Sequence, residues 1–283
     1  MEIKFNKVGF IYNEKTPLKK EVLKDLDLEI KKSKINGIVG KSGSGKTTII
    51  EMIISLIVPT SGHIKIDNCF IERKSKIVNI SLLRFKVGLV FEFPEDQFFN
   101  QTVYDEVAFG LKTFNYKTEE INKRVSDALK MVGFNDDYLL KNPHVLSNGE
   151  KRKVAIASIL VFNPKVIILD EPTVGLDSNS KNNLIRLIKL LKNRYHKTII
   201  IVTQDVDFLH KLVDYIFILN DKKIVLEGDK YQVFTQVETL LKYGIGVPKI
   251  IEFTNQVLKE KQIKLGYRDE INDLIKDIYR YAK

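Results

Sequence analysis

The 283-residue chain predicts an α/β fold: a parallel-sheet core around a phosphate-binding loop, with an N-terminal antiparallel β subdomain, an inserted helical subdomain and a C-terminal helical extension. Three observations predict it. Gly40-Lys41-Ser42-Gly43-Ser44-Gly45-Lys46-Thr47 fits the pattern G-x-x-x-x-G-K-[ST] at every fixed position, between an apolar strand and an apolar helix. Val166-Ile167-Ile168-Leu169 is a continuous apolar run ending in Asp170-Glu171, the pattern of a parallel strand buried on both faces. Residues 1–30 instead alternate, with Ile3/Phe5 and then Leu26/Leu28/Ile30 apolar, the period of a half-buried antiparallel sheet.

Asn13 to Pro17 is a turn between the first strands, and Tyr12 stands just before it, where an aromatic ring either stacks on a nucleobase or simply packs. Ile35 to Val39 is the strand ahead of the loop and Thr48 to Val58 the helix behind it. A phosphate site needs that placement. Glycines let the backbone curl around phosphate oxygens without a Cβ in the way, and the N–H groups of a helix start attract anions. Lys46 would reach the β- and γ-phosphates, and the Thr47 hydroxyl would ligate Mg²⁺. Pro59-Thr60-Ser61-Gly62 then turns into a strand at Ile64/Ile66, and Val87 to Phe91 is a further buried run. The loop after it, Glu92-Phe93-Pro94-Glu95-Asp96-Gln97-Phe98-Phe99, mixes acids with aromatics, the composition of a contact surface.

Thr102 to Phe114 and Thr118 to Val132 read as helices, the second with Thr118 as N-cap, Glu119 and Glu120 in its first turn, and Ile121, Val125 and Leu129 on one face. They belong to a helical insertion of about residues 92–162. Leu146-Ser147-Asn148-Gly149-Glu150 precedes an apolar-periodic helix. Ser147 either caps that helix or offers its hydroxyl to a phosphate, and periodicity does not choose. Asp170 and Glu171 fall at the carboxyl edge of the sheet, where open α/β sheets bind ligands. Asp170 is placed to hold Mg²⁺ through water, and Glu171 to orient an attacking water or take its proton. Thr198 to Val202 is another strand, followed by Thr203-Gln204-Asp205, and strands at 216–219 and 224–226 flank a turn around Asp221. From Asp229 the chain is helical and charged, with a break at Val247-Pro248. Leu274, Ile275 and Ile278 mark an end whose apolar face needs something to pack on. Residues 1–228 are thus expected to form the nucleotide-binding domain and 229–283 the extension.

With 44% hydrophobic residues the chain can bury a sizeable core. Glu51 interrupts Ile49 to Val58, so no run approaches the roughly 18 apolar residues of a membrane span, and Met1 to Tyr12 has no signal-segment pattern. The expectation is a soluble, cytosolic chain. A single cysteine, Cys69, excludes an internal disulfide framework, fits a reducing compartment and reads as a small core residue. The net charge of +10 is spread along the chain, as biased composition leaves it; as a functional signal it suits anionic lipid somewhat better than nucleic acid.

Tyr12, the loop at 40–47, the Glu92 loop, Leu146–Glu150, Asp170-Glu171, Gly175-Leu176-Asp177 and the segment at Gln204 form, in that order, a series that resembles the ATP-binding subunit of an ABC transporter over roughly residues 1–230. The resemblance implies a P-loop NTPase of the ABC ATPase type. Phe91 through Phe98, Ala108-Phe109-Gly110 and Lys151 through Ala157 are similar to the second of the two ATPase types of energy-coupling factor (ECF) transporters, which take up vitamins, cobalt or nickel. This implies an ATPase that energises a membrane importer, with ATP held by Tyr12, Gly40, Lys41, Ser42, Gly43, Ser44, Gly45, Lys46, Thr47 and Thr48. Thr47, Asp170 and Glu92 would hold Mg²⁺, and Glu171, Gln204 and Glu92 would act in hydrolysis. In that family two ATPase subunits pack head to tail. Ser147, Asn148, Gly149 and Glu150 would complete the partner's site, and Asp177 would lie at the subunit interface.

The implied partners are a second ABC ATPase in a heterodimer, a transmembrane coupling protein seated on the Glu92–Gln97 loop, and a substrate-binding membrane protein. No nucleic acid is expected, the implied location is peripheral, at the cytoplasmic face of the cell membrane, and the C-terminal extension would help the ATPases dimerise. Two other readings stay open. A soluble ABC ATPase acting on nucleic acid or ribosomes usually carries two cassettes or a long coiled-coil insertion, and this sequence has neither. A regulatory subunit that binds nucleotide without hydrolysing it would not need Glu171.

Three positions depart from the family pattern. Glu92 stands where a glutamine is usual and adds like-charge repulsion near Glu171, which raises carboxylate pKa values. Asn148 replaces the first of two signature glycines, although asparagine tolerates unusual backbone angles better than most residues. Gln204 replaces a histidine and cannot carry a positive charge, a loss of about 2–4 kcal/mol by analogy with other transition-state donors. His210, six residues later, is expected on a helix surface. The departures imply a slow site on this chain's own loop, with more turnover where it lends its signature.

Overall fold

The computed structural model describes residues 1–73, 80–263 and 265–281. The alternating N-terminal stretch forms β1 (Ile3–Tyr12) and β2 (Lys20–Glu29). β3 (Ile35–Val39) leads through the phosphate loop into α1 (Lys46–Ile53), and β4 (Ser61–Ile66) and β5 (Cys69–Glu72) return to antiparallel pairing, giving a four-stranded sheet in the order β2-β1-β4-β5. Then come α2 (Ile80–Lys86), β6 (Val87–Val90), α3 (Val103–Thr113), α4 (Thr118–Met131) and α5 (Asn148–Leu160). β7 (Val166–Asp170), α6 (Ser178–Asn193), β8 (Thr198–Val202), α7 (Val206–His210), β9 (Tyr215–Asn220) and β10 (Lys223–Asp229) follow. The second sheet has the order β10-β9-β3-β8-β7-β6, parallel from β9 to β6, with β10 antiparallel to β9.

Side chains alternate across a strand, so each parallel strand feeds two cores. β7 sends Val166 and Ile168 to one face and Ile167 and Leu169 to the other; β8 does the same with Ile200/Val202 and Ile199/Ile201. The first face shares a core with α1 and the antiparallel sheet, through Ile49, Met52, Phe5 and Leu26. The second shares one with the helices, through Val107, Val125, Val154 and Leu184. Burial on both faces is why these strands are apolar without alternation.

Local chemistry corrects three expectations. α1 stops at Ile53 instead of running to Val58, because Ser55 takes a left-handed conformation (φ 56°) and Leu56 N–H turns back to the Glu51 carbonyl at 2.8 Å. Thr118 is the first helical residue of α4, not its cap. Lys117 precedes it without a side-chain cap, so Glu119 and Glu120 compensate the helix start. Cys69 is half-buried on β5, an edge strand, and is not a core residue.

Asp229 caps the next helix through Tyr231 N–H and Gln232 N–H. The chain continues as α8 (Lys230–Phe234), α9 (Val237–Lys242), α10 (Lys249–Lys261) and α11 (Ile271–Tyr281), with Pro248 at the start of α10. Val233, Phe234, Leu240, Ile245 and Ile251 join the helical-face core. α11 buries Leu274 but leaves Ile271, Ile275 and Tyr279 exposed. Among the described residues, no helix is long and apolar enough to cross a membrane.

Candidate functional site

β3, β8 and β7 are neighbours and parallel, so the phosphate loop, the Thr203-Gln204 segment and Asp170-Glu171 emerge at one edge of the sheet. The loop needs its glycines. Gly43 and Gly45 have φ of 74° and 107°, and a Cβ on Gly40 would come within 2.6 Å of the Leu219 carbonyl oxygen. Lys46, 8% exposed, donates from Nζ to the Gly40 and Lys41 carbonyls at 2.8 and 2.9 Å. Burial pushes its pKa below the ordinary lysine value, while Glu171, Asp170 and Glu92 pull it back. Ser44 Oγ is buried without a protein partner, so the loop carries a spare polar group, as a phosphate cradle requires. Tyr12 is fixed beside it: its hydroxyl donates to Glu51 Oε2 at 3.0 Å and lies 3.1 Å from Thr48 Oγ1.

Glu171 leaves the sheet with φ 39°, a conformation that costs a non-glycine residue energy and is concentrated at functional sites. Its N–H still bonds the Val202 carbonyl at 2.8 Å, extending the ladder between β7 and β8 by one step. Its carboxylate Oε2 accepts from the Thr203 hydroxyl at 2.7 Å and from Gln204 N–H at 3.3 Å. Thr203 is fully buried, and its Oγ1 accepts from Asp205 N–H at 3.0 Å. Asp205 caps α7 through Phe208 N–H and pairs with Lys181 at 2.7 Å. Glu171 is therefore aimed by a buried chain of bonds. Asp170 carries the electrostatic cost. Burial, then Glu171 and Glu92, push its pKa up to about 6 against the pull of Lys46. Among the described residues no three His, Cys, Asp or Glu form a closed metal cluster. An open set of Asp170, Glu92 and the Thr47 hydroxyl suits Mg²⁺, which takes one or two carboxylates and completes its shell with phosphate oxygens and water.

Gln204 is exposed, and its bond to Glu171 comes from the backbone N–H, which any non-proline residue supplies. His210 is not on a helix surface. It is 2% exposed at the end of α7, 5.8 Å from the Phe234 ring, and burial and Lys230 push its pKa down. The apolar residues of α8 cover it.

At the signature, Ser147 is an N-cap in a capping box with Glu150. Its hydroxyl donates to Glu150 Oε2 at 2.7 Å, and its N–H donates to the same atom at 3.0 Å. Tyr138 donates to Glu150 Oε1 at 2.6 Å; that bond, with the Ser147 bonds, holds the Glu150 pKa down. Asn148 has no unusual backbone angle, and its Nδ2 ties the Gly175 carbonyl at 3.1 Å. A Cβ on Gly149 would sit 2.6 Å from Ser180 Oγ, so glycine there lets α5 approach α6. Asp177 caps α6 through Ser180 N–H at 2.7 Å. The structure thus joins Ser147–Glu150 to Gly175–Asp177, and gathers Lys46, Asp170, Glu171 and Glu92 within electrostatic reach of one another.

Sequence reasoning missed Thr203, Lys181, Glu51, Arg152 and Asp207. Arg152 is 3% exposed and donates to the Phe91 and Val174 carbonyls. Asp207 accepts Lys249 N–H at 2.8 Å, Gly246 packs against Val206, and the Lys41 side chain lies against Gly244, so the segment 244–249 runs beside the phosphate loop and α7. A threonine ending an apolar strand beside a site was a readable signal for Thr203. Arg152, between two lysines, gave none.

The ABC transporter family model matches residues 23–174. The energy-coupling factor transporter ATP-binding protein EcfA2 of Clostridium tetani is 40% identical over 94% of this chain and 92% of its own length. EcfA2 of Staphylococcus epidermidis is 37% identical over 95% of this chain and 96% of its own. Among solved structures, cbiO1 from Clostridium perfringens, part of the ABC transporter complex cbiONQ, has a TM-score of 0.76 and 33% identity, covering 89% of this chain and 98% of that one. The dimeric ATP-binding cassette MJ0796 bound to ADP and Pi has a TM-score of 0.69 and 31% identity, covering 80% and 98%. With the phosphate loop, the oriented Glu171 and the signature helix on one frame, this chain belongs to the ABC transporter family and, within it, to the ATP-binding proteins of energy-coupling factor transporters.

Proposed function

We propose that this chain hydrolyses ATP on the loop at 40–47, as one of two unlike ATPases that drive a membrane-embedded coupling protein importing vitamins or transition-metal ions. The observation that carries the chemistry is the Glu171 carboxylate, held at the sheet edge by the buried Thr203 hydroxyl beside Lys46. Lys46 and the loop N–H groups hold the β- and γ-phosphates, Tyr12 offers its ring to the base, and Glu171 orients the attacking water. Thr47, Asp170 and Glu92 hold Mg²⁺, which when bound neutralises phosphate charge. Ser147 to Glu150 complete the partner's site, and Asp177 lies at the interface between the two ATPases. Residues 1–228 act as the ATPase domain and 229–283 support pairing. The chain sits peripherally at the cytoplasmic face of the membrane, with the Glu92–Gln97 loop toward the coupling protein. The likeness to cbiO1, part of a transporter complex, supports the partner reading.

Glu92 and the neutral, exposed Gln204 leave this chain's own site the slower of the two. Purification of the tagged chain with a coexpressed partner ATPase and coupling protein, followed by ATP turnover, tests both points. An active membrane complex whose rate survives Glu171→Gln, but not the equivalent change in the partner, supports the reading. The reverse pattern refutes the asymmetry, and a chain that emerges alone and binds nucleic acid refutes the importer.

A further inference from the structure

Arg152 lies in the second turn of α5, the helix whose first turn is the signature. Its guanidinium is buried, yet among the described residues its hydrogen-bond partners are two main-chain carbonyls and no carboxylate: Phe91 O at 3.0 Å and Val174 O at 3.3 Å. Nε is buried with no partner. Packing alone does not account for this. A methionine fills a similar volume without the cost of desolvating a charge, and an orphaned donor adds to that cost. The two carbonyls identify what the charge does. Phe91 immediately precedes Glu92, and Val174 lies midway between Glu171 and Asp177. Among the described residues, no other side chain hydrogen-bonds both segments. Glu95 and Glu92 lie near enough to stabilise the guanidinium charge against its burial.

We propose that Arg152 is a positioning residue that transmits the placement of the signature helix to this chain's own ATP site, by clamping the Glu92 loop and the Glu171–Asp177 segment to one helix. A shift of α5, when its first turn meets a nucleotide, then moves both segments together. The planar fork matters because Nη1 reaches one carbonyl and Nη2 the other, whereas a lysine would have to bring a single nitrogen to both. The inference rests on the head-to-tail pairing proposed above.

Amide hydrogen exchange tests it in two steps. In the nucleotide-free chain, Arg152→Gln raises exchange in both 91–98 and 172–178 by about tenfold, with β7 and β8 unchanged, and Arg152→Lys leaves one of the two segments loose. In the ATP-bound heterodimer carrying Glu171→Gln, segments 147–151, 91–98 and 172–178 become protected together; with Arg152→Gln added, protection stays at 147–151 and is lost from the other two. The proposal is overturned if the nucleotide-free variant loosens neither segment or one alone, if protection stays coupled without Arg152, or if 147–151 loses its protection as well. If the heterodimer with native Arg152 shows no ATP-dependent protection at 147–151, the pairing reading fails; the nucleotide-free step still decides the clamp.

Discussion

Asp170→Asn is expected to stabilise the nucleotide-free chain while abolishing its Mg²⁺-dependent turnover. The folded chain holds Asp170 at a pKa of about 6, raised by burial and by Glu171 and Glu92. Relative to the ordinary carboxylate value, the charged form therefore costs at most ~3 kcal/mol. Asp170 is only partly buried, so solvent screening reduces this to about 1–2 kcal/mol. The sign follows from proton binding. Between the unfolded pKa and about 6 the folded chain holds the proton more tightly, so native stability falls as pH rises through that window and is flat above it. Asparagine removes the carboxylate and the cost, raising Tm at about pH 8 by roughly 2–6 °C. The assay is thermal unfolding of both forms in chelator at about pH 8 and about pH 5, where the difference should shrink as the native aspartate regains its proton. A variant with an equal or lower Tm at the higher pH, or a gap that widens on acidification, would refute the electrostatic account of the site.

Two further outcomes follow from the same geometry. Thr203→Val deletes the hydroxyl on Glu171 and orphans Asp205 N–H, and should slow hydrolysis at this chain's site by about 10- to 100-fold, as loss of a bond to a charged group does. Single-turnover hydrolysis with the partner site silenced measures it, Thr203→Ser should recover most of the rate, and equal impairment of both variants would rule the hydroxyl out. Gly149→Ala drives a methyl group into Ser180 and should cost about 1–3 kcal/mol in denaturant unfolding. Adding Ser180→Ala relieves the closest contact; if stability does not partly return, the close approach of α5 to α6 is not what selects glycine.

The buried strands of the core could be anticipated from their apolar runs and the loop motif: β3, β7 and β8 read as buried strands, and Asp170-Glu171 at a strand end implied a ligand edge. Helix ends were less legible, since Ser55 stops α1 by adopting a left-handed angle that no propensity requires of serine. Ser147 had two readings because a hydroxyl at a helix start serves a cap and a phosphate equally well; in this chain by itself the hydroxyl accepts from Glu150 N–H as a cap. His210 was placed on a surface because its burial depends on α8, which contributes Phe234 from a distant stretch of chain. The partners of Thr203 and Arg152 were invisible for a related reason. Each acts through a bond to a segment far away in sequence, and the sequence displays residues, not their partners.

The chain beyond β10 does not fold apart from the rest. Val233, Phe234, Leu240, Ile245 and Ile251 together bury apolar surface worth on the order of 10 kcal/mol, comparable with the entire net stability of an ordinary domain. The Lys249 N–H grips the first turn of α7, three residues beyond Gln204. The start of α10 is thereby tied to the segment that follows β8, so a displacement of one would be felt by the other.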